Sequence, residues 1–97
     1  MTTWSSYDAA DYLETEEKQL EYLTAIIELG DPLAIQAALG SIARARGMSA
    51  VSETTGLSRE NLYRSLSGTK EARFSTIFKV LNALGYQLKI MPKTNAQ

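Results

Sequence analysis

Apolar residues recur every three or four positions along most of the chain, a spacing that collects side chains on one face of an α-helix. Together with the presence of only two prolines, this spacing predicts a mainly α protein. Five helices are expected, at residues 16–29, 32–46, 49–55, 59–67 and 76–84. Asp31 followed by Pro32 is a strong start signal for the second helix, and Ser75 can cap the last one. The predicted core positions are Leu20, Leu23, Ile26 and Ile27, then Ile35, Ala38, Leu39 and Ile42, and finally Ile77, Val80, Leu81 and Leu84.

Residues 48–68 have the pattern of a helix-turn-helix. Gly56 can take the positive φ angle that a sharp turn between helices needs, and Ser58 can cap the second helix. Within that helix Leu62 and Leu66 should face inward, beside the small Ser65. The side chains left on its outer face are Arg59, Glu60, Tyr63 and Arg64.

After the predicted helices the pattern changes from helical spacing to alternation. Residues 87, 89 and 91 are Gln, Lys and Met, and they alternate with Tyr86, Leu88 and Ile90. This alternation predicts a β-strand at residues 86–91, which Pro92 ends. One strand alone leaves its backbone groups unpaired. Pairing with the same strand of a second copy, through Tyr86, Leu88 and Ile90, would give a two-fold homodimer. The alternatives are pairing with the N-terminal residues, or no strand at all.

Charge divides the chain into two unequal parts. Residues 1–31 hold eight acids and one base, a net charge of −7, whereas residues 32–97 hold nine bases and three acids, a net charge of +6. The positive part suits contact with phosphates, and DNA would repel the negative part. Two partners of opposite charge explain the division, although acidic residues can also simply solvate a surface helix.

The absence of cysteine and histidine narrows the possible chemistry. Disulfides, thiolate chemistry, the most frequent general base and the most frequent metal ligand are all missing. The sequence has no paired-carboxylate or phosphate-loop motif either, so we expect a protein that is not an enzyme and holds no cofactor or metal. No apolar run exceeds three residues, so neither a membrane helix nor a signal peptide is expected, and we predict a cytoplasmic protein.

The outer face of the predicted second helix supplies candidates for reading DNA. Arg59 and Arg64 can each bond both acceptors of a guanine edge, or contact phosphates instead. Glu60 can accept a hydrogen bond from cytosine, or its charge can simply interact favourably with the helix dipole. Asn61 is a candidate for contact with adenine. Tyr63 can contact DNA, or it can pack half-buried against its own domain. The predicted phosphate contacts are Ser49, Thr55, Ser58, Ser67 and Lys70.

Five stretches carry a family resemblance. They are DAADYL at residues 8–13, YLTAIIELGDP at 22–32, ALGSIARARGMS at 38–49, TGLSRENLYRSLSG at 55–68 and STIFKVLNALG at 75–85. With these stretches the chain resembles the addiction-module antidote proteins, HigA-like antitoxins with a Cro/repressor-type (Xre) helix-turn-helix. Ser52 and Ser65 depart from the usual pattern, where alanine and a branched aliphatic residue are expected. Both hydroxyls need partners, for which backbone carbonyls of their own helices are candidates.

The resemblance implies a five-helix, repressor-like helix-turn-helix domain, mainly α, to which the alternating pattern adds a short C-terminal β-strand. We expect residues 1–15 to form a partly ordered arm, residues 16–91 the domain and residues 92–97 a loose tail. The implied function is that of a type II antitoxin, which neutralises a RelE/HigB-like messenger RNA endonuclease and represses its own operon. A stand-alone repressor without a toxin and an interaction module that does not bind DNA are the alternatives.

Toxins of that type bind RNA and must be basic, so an acidic surface should bind them. The predicted toxin-binding surface combines acidic residues with apolar anchors near the N-terminus. The acidic residues are Asp11, Glu14, Glu17 and Glu21, and the anchors are Trp4, Tyr7, Tyr12 and Leu13. These aromatic residues could instead pack on the helices of their own domain.

Overall fold

The computed structural model describes residues 13–93, which fold into five α-helices with no β-strand among them. The helices are α1 (Glu16–Leu29), α2 (Pro32–Arg46), α3 (Met48–Thr55), α4 (Arg59–Ser65) and α5 (Phe74–Ala83). The prediction of a mainly helical chain with five helices is therefore confirmed. Within residues 13–93 no helix is long and apolar enough to cross a membrane.

Polar side chains define where most of the helices begin. Thr15 caps α1 by accepting from the Lys18 amide, and Asp31 caps α2 by accepting from the amides of Leu33 and Ala34. Ser58 caps α4 as predicted, since its Oγ accepts from the Asn61 amide at 3.0 Å. These bonds satisfy amide groups that a helix cannot pair internally.

The last helix begins earlier than the sequence pattern predicts. The residue before α5 is Arg73, which makes no side-chain capping bond, and Ser75 lies inside the first turn. The prediction that Ser75 caps this helix is therefore wrong. The helix begins at Phe74 because the Arg73 carbonyl accepts its first backbone hydrogen bond, from the Ile77 amide at 3.2 Å.

Helix α2 forms the centre of the core and contacts each of the other four helices. The buried apolar side chains come from all five helices, from the residues before α1 and from the residues that directly follow α4 and α5. They are Leu13, Leu23, Ala38, Leu39, Ile42, Ala43, Met48, Val51, Leu62, Leu66, Val80, Leu81 and Leu84. The predicted α1 stripe is only partly buried. Leu20 and Ile27 are 51% and 46% exposed, because Gln19 and Leu23 face α2 and turn these two aliphatic side chains outward.

The buried side chain of Gln36 connects α2 to residues that follow it in the chain. Gln36 of α2 donates to the carbonyls of Ser65 and Lys70, at 3.1 and 2.8 Å, and accepts from the Ala72 amide at 2.8 Å. One side chain thus holds the end of α4 and the following loop against α2, with one hydrogen bond to the helix and two to the loop. Such bonds also satisfy backbone groups that have no helical partner.

Arg46, at the end of α2, joins the two ends of the described chain. It donates to Gln19 Oε1 at 2.6 Å and to the Leu84 carbonyl at 3.0 Å, and its guanidinium lies 5.8 Å from the centre of the Tyr86 ring. Gln19 in turn donates to the Leu13 carbonyl. The residues before α1 and those after α5 are therefore connected through one cation.

The predicted strand at residues 86–91 is not present in the described chain, and the prediction is wrong. Helix α5 ends in a Schellman-type turn, in which the Gly85 amide bonds the Asn82 carbonyl and the Tyr86 amide bonds the Leu81 carbonyl. The Tyr86 amide is therefore already paired, and its ring lies half-buried at Arg46. Beyond it Leu88 and Ile90 are 49% and 98% exposed, with no partner strand within residues 13–93.

Candidate functional site

Helices α3 and α4 are joined by a three-residue turn, an arrangement that fits the helix-turn-helix class. Gly56 has a φ angle of +78°, the left-handed conformation predicted for it. Ser52 donates to the Leu57 carbonyl at 2.5 Å, so its hydroxyl pairs with the turn rather than with its own helix. Thr55 Oγ1 donates to the Val51 carbonyl and accepts from the Leu57 amide. The angle between the two helices is thus held by side-chain bonds within the turn.

The inner side of α4 is fixed in the core. Leu62 is fully buried and Leu66 nearly so, as the sequence predicts. Gly40 of α2 lies so close that a Cβ atom placed on it would be 2.6 Å from the Leu66 carbonyl oxygen. Close packing on one side leaves the helix one orientation, with Arg59, Glu60, Tyr63 and Arg64 exposed.

Three of the predicted DNA-contacting side chains also take part in side-chain hydrogen bonds. Arg59 donates to Ser49 Oγ at 3.3 Å, which connects the first turn of α4 to the first turn of α3. Asn61 Oδ1 accepts from Ser65 Oγ at 2.9 Å, so the Ser65 hydroxyl pairs with a side chain and not with a carbonyl of its helix.

The hydroxyls predicted to contact phosphates take part in local hydrogen bonds. Thr55 holds the turn before α4, and Ser58 caps α4. Ser67 donates to the Arg64 carbonyl at 3.1 Å and also lies 2.8 Å from the Thr69 hydroxyl. These three residues have a structural role at the ends of α4, whereas Lys70 is an exposed cation in the following loop.

A groove runs along each side of α4, and the lining of each includes at least one cation from another segment. On one side Arg44 of α2 lies with Tyr63 and Ser67. On the other, Lys70, Glu71 and Arg73 of the loop lie with residues of α4, so two cations from the loop flank one carboxylate. Arg44 and Arg73 are not among the predicted site residues, because their positions beside α4 depend on how α2 and the loop pack.

A second exposed face lies on α1 and is acidic. Among the exposed residues of α1, six recur with helical spacing, and they are Glu17, Leu20, Glu21, Thr24, Ile27 and Glu28. We call them the acidic α1 face. Two of its carboxylates, Glu17 and Glu21, belong to the predicted toxin-binding set, and Glu14, also exposed, precedes them. Leu20 and Ile27, the two aliphatic residues of this face, were predicted to lie in the core.

The other predicted toxin-binding residues near the N-terminus are not part of this face. Trp4, Tyr7, Asp11 and Tyr12 lie outside the described residues. Leu13 is only 1% exposed and belongs to the core, so it is not a surface anchor. It is buried because the Gln19 side chain holds its carbonyl at 3.1 Å and brings the chain against the helices.

A comparison with family models identifies the family of the chain. The family model of probable addiction module antidote proteins matches residues 3–92. A protein of Haemophilus influenzae, described as an uncharacterized protein, is 43% identical over 84 residues, which cover 87% of this chain and 87% of that relative. No solved structure matches the chain. The chain belongs to the family of probable addiction module antidote proteins.

Proposed function

We propose that this chain is the antitoxin of a type II toxin–antitoxin pair, and that it binds operator DNA through α4 and a basic toxin through the acidic α1 face. The observation that carries the proposal is the presence of two exposed helix faces of opposite chemistry in one small domain. The face of α4 has two guanidinium groups, whereas that of α1 has three carboxylates.

The shape of α4 suits the major groove of DNA. A seven-residue helix that is packed on one side and exposed on the other can lie in the groove with its polar side chains toward the base edges. Arg59 and Arg64 are the proposed guanine contacts, while Glu60, Asn61 and Tyr63 supply further contacts. As in Xre-type repressors, which the chain resembles, operator binding would repress the operon.

The two grooves beside α4 suit the phosphates. A helix in the major groove has a phosphate backbone on each side, so cations are needed on both sides. Arg44 lies in one groove, and Lys70 and Arg73 lie in the other. These residues would position α4 on the duplex, and the proposed base contacts would select the sequence.

The acidic α1 face suits a toxin that must itself be basic in order to bind RNA. Helix α1 contains four glutamates and one lysine. Its net negative charge favours association with a positive partner. Leu20 and Ile27 provide apolar contact between the carboxylates, and they replace Leu13 as proposed anchors. The RNA-cleaving chemistry of a RelE/HigB-like toxin would then belong to the partner, and this chain would act by binding and not as an enzyme.

Reversing charge on α1 tests the toxin-binding part of the proposal. The full chain is co-expressed with the protein encoded beside it, and capture of that protein and rescue of growth are measured. We expect Glu17→Lys with Glu21→Lys to abolish both, because a basic partner would be repelled. Glu53→Lys with Glu71→Lys is the matched control, since both glutamates are exposed outside α1.

The control variant should keep both capture and rescue. If the α1 variant captured the neighbouring protein as well as the wild type does, toxin binding through α1 would be wrong. If the wild-type chain neither captured that protein nor protected growth, the antitoxin role with this partner would be wrong as well.

A further inference from the structure

The loop that follows α4 carries Lys70, one of the proposed phosphate contacts, on a backbone that belongs to no helix. Lys70 lies in a groove with Asn61 and Arg64 of α4 and with Arg73. The same groove contains Glu71, so three cations share it with one carboxylate. Like charges in one groove repel one another, and this repulsion favours movement of the loop away from α4. A contact outside the groove must therefore keep Lys70 in place.

That contact is made by Gln36 of α2, which is 5% exposed. Its Nε2 donates to the Lys70 carbonyl at 2.8 Å and to the Ser65 carbonyl at 3.1 Å, while its Oε1 accepts from the Ala72 amide at 2.8 Å. Among the described residues, no other side chain hydrogen-bonds the backbone of residues 70–72. One bond reaches the last residue of α4 and two reach the loop, so a single amide group sets the distance between the helix and Lys70.

We propose that Gln36 is a positioning residue for DNA binding, which holds Lys70 at the distance from α4 that a backbone phosphate requires. This inference rests on the proposed binding of DNA through α4. A helix in the major groove and a cation on the flanking backbone must be correctly spaced, because phosphate contacts fix the position of a protein on the duplex. Gln36 is buried and touches no DNA itself, so it acts through the backbone of Lys70.

The chemistry of a neutral amide suits this role. One glutamine side chain offers two N–H donors and one carbonyl acceptor, and Gln36 uses both kinds of group. A carboxylate at this position would face two carbonyl oxygens, and a charge is costly to bury. An apolar side chain could fill the space, but it would leave the Lys70 carbonyl and the Ala72 amide without this partner. Gln36 therefore opposes the repulsion in the groove without adding charge to it.

Arg73, the other loop cation of the groove, is held in a different way. Its carbonyl accepts from the amides of Thr76 and Ile77, at 3.0 and 3.2 Å, so the start of α5 fixes its backbone. Removal of the Gln36 amide should therefore displace Lys70 and leave Arg73 in place. The two cations can be compared within one groove for this reason.

The salt dependence of affinity tests this role, with the full chain and a DNA duplex from the region upstream of its own gene. We expect Gln36→Met to reduce the slope of log affinity against log salt by about one, as Lys70→Ala does, because one phosphate contact is lost. The two substitutions together should reduce the slope no further than Lys70→Ala alone. Arg73→Ala should reduce it by about one more, with or without Gln36. Gln36→Glu keeps the size of the side chain but loses both donors, and it should act like Gln36→Met.

A second buried glutamine provides the matched control. Gln19 of α1 is 4% exposed and, like Gln36, donates to a backbone carbonyl, that of Leu13. Gln19→Met should lower stability to urea as Gln36→Met does, since both lose buried hydrogen bonds, but it should keep the wild-type slope. Hydrogen exchange at the Ala72 amide reports on the loop without DNA. Gln36→Met should accelerate this exchange about tenfold, whereas Gln19→Met should not.

A folded Gln36→Met variant with the wild-type slope would overturn the positioning role. So would a combined Gln36→Met and Lys70→Ala variant whose loss of slope equals the sum of the two single losses, because Gln36 would then act independently of Lys70. Failure of the proposed DNA binding has a different signature, since the wild type itself would not bind the duplex. Faster exchange at Ala72 in Gln36→Met would then show that Gln36 holds the loop, but a role in DNA binding would be wrong.

Discussion

At the scale of single residues, polar side chains decide how the exposed face of α4 is presented. Ser52 and Thr55 hold the turn that precedes α4. Gln36 holds the last residue of α4 with one hydrogen bond and the loop that follows it with two. Each of these side chains bonds backbone groups that lack a helical partner, which would be costly to leave unpaired. The guanidinium groups of Arg59 and Arg64 are therefore presented from a backbone that is fixed at both ends.

Replacing both arginines tests their proposed contacts with bases. We expect Arg59→Ala with Arg64→Ala to abolish operator binding in a gel-shift assay, because each bidentate contact with guanine provides about 1–3 kcal/mol of discrimination. The fold should remain, since both side chains are exposed. Lys18→Ala with Lys93→Ala removes the same charge from other segments and should bind normally. Undiminished binding by the arginine variant would contradict the assignment of α4.

At the scale of elements, the position of α4 depends on one close contact with α2. Gly40 has no side chain, and the Leu66 carbonyl at the end of α4 occupies the place of the missing Cβ. The helices therefore approach more closely there than any larger residue would permit. Because Leu62 and Leu66 enter the core beside this contact, its geometry also sets the direction of the exposed face.

Adding one methyl group at Gly40 tests that contact. Gly40→Ala gains helix propensity of up to about 1 kcal/mol, but overpacking against backbone costs about 1–3 kcal/mol. We expect net destabilisation of about 1 kcal/mol, measured by urea unfolding, and weaker DNA binding. Thr24→Ala, on the exposed side of α1, should not lower stability. A more stable Gly40→Ala variant would show that α2 and α4 can separate at no cost.

At the scale of the whole molecule, opposite charges are distributed over different helices of one small domain. The charged residues of α1 are four glutamates and one lysine, whereas the cations at positions 44, 64, 70 and 73 lie in or beside α4. A net charge of −1 for the whole chain therefore says little about either face. DNA would meet the local field of the α4 side.

The salt dependence of DNA affinity measures how many cations contact phosphates. If Lys70 and Arg73 each contact one phosphate, removing either should reduce the slope of log affinity against log salt by about one. Arg44→Ala should do the same from the opposite groove. Lys93→Ala should leave the slope unchanged, because this residue lies outside both grooves. A slope that none of the three variants alters would exclude the proposed phosphate contacts.

Local patterns in the sequence were sufficient to predict the helices and most of their ends. Asp31 with Pro32, Gly56 and Ser58 each act on neighbouring residues, so their roles depend on short-range bonds and backbone angles alone. The buried positions Leu62 and Leu66, and the four exposed side chains of α4, followed from helical spacing. The same motifs also indicate the addiction-module antidote family, whose model matches residues 3–92.

Only the tertiary structure decided which surfaces the helices leave open. Leu20, Ile27, Phe74 and Phe78 are apolar and helical in spacing, but they are exposed because other residues of α1 and α5 already fill the core. Leu13 is buried through Gln19, and Tyr86 pairs with α5 and Arg46 instead of beginning a strand. Arg44 and Arg73 reach the sides of α4 only after α2 and the loop are packed. Helical periodicity identifies a face, but the area available in the core determines whether that face is buried.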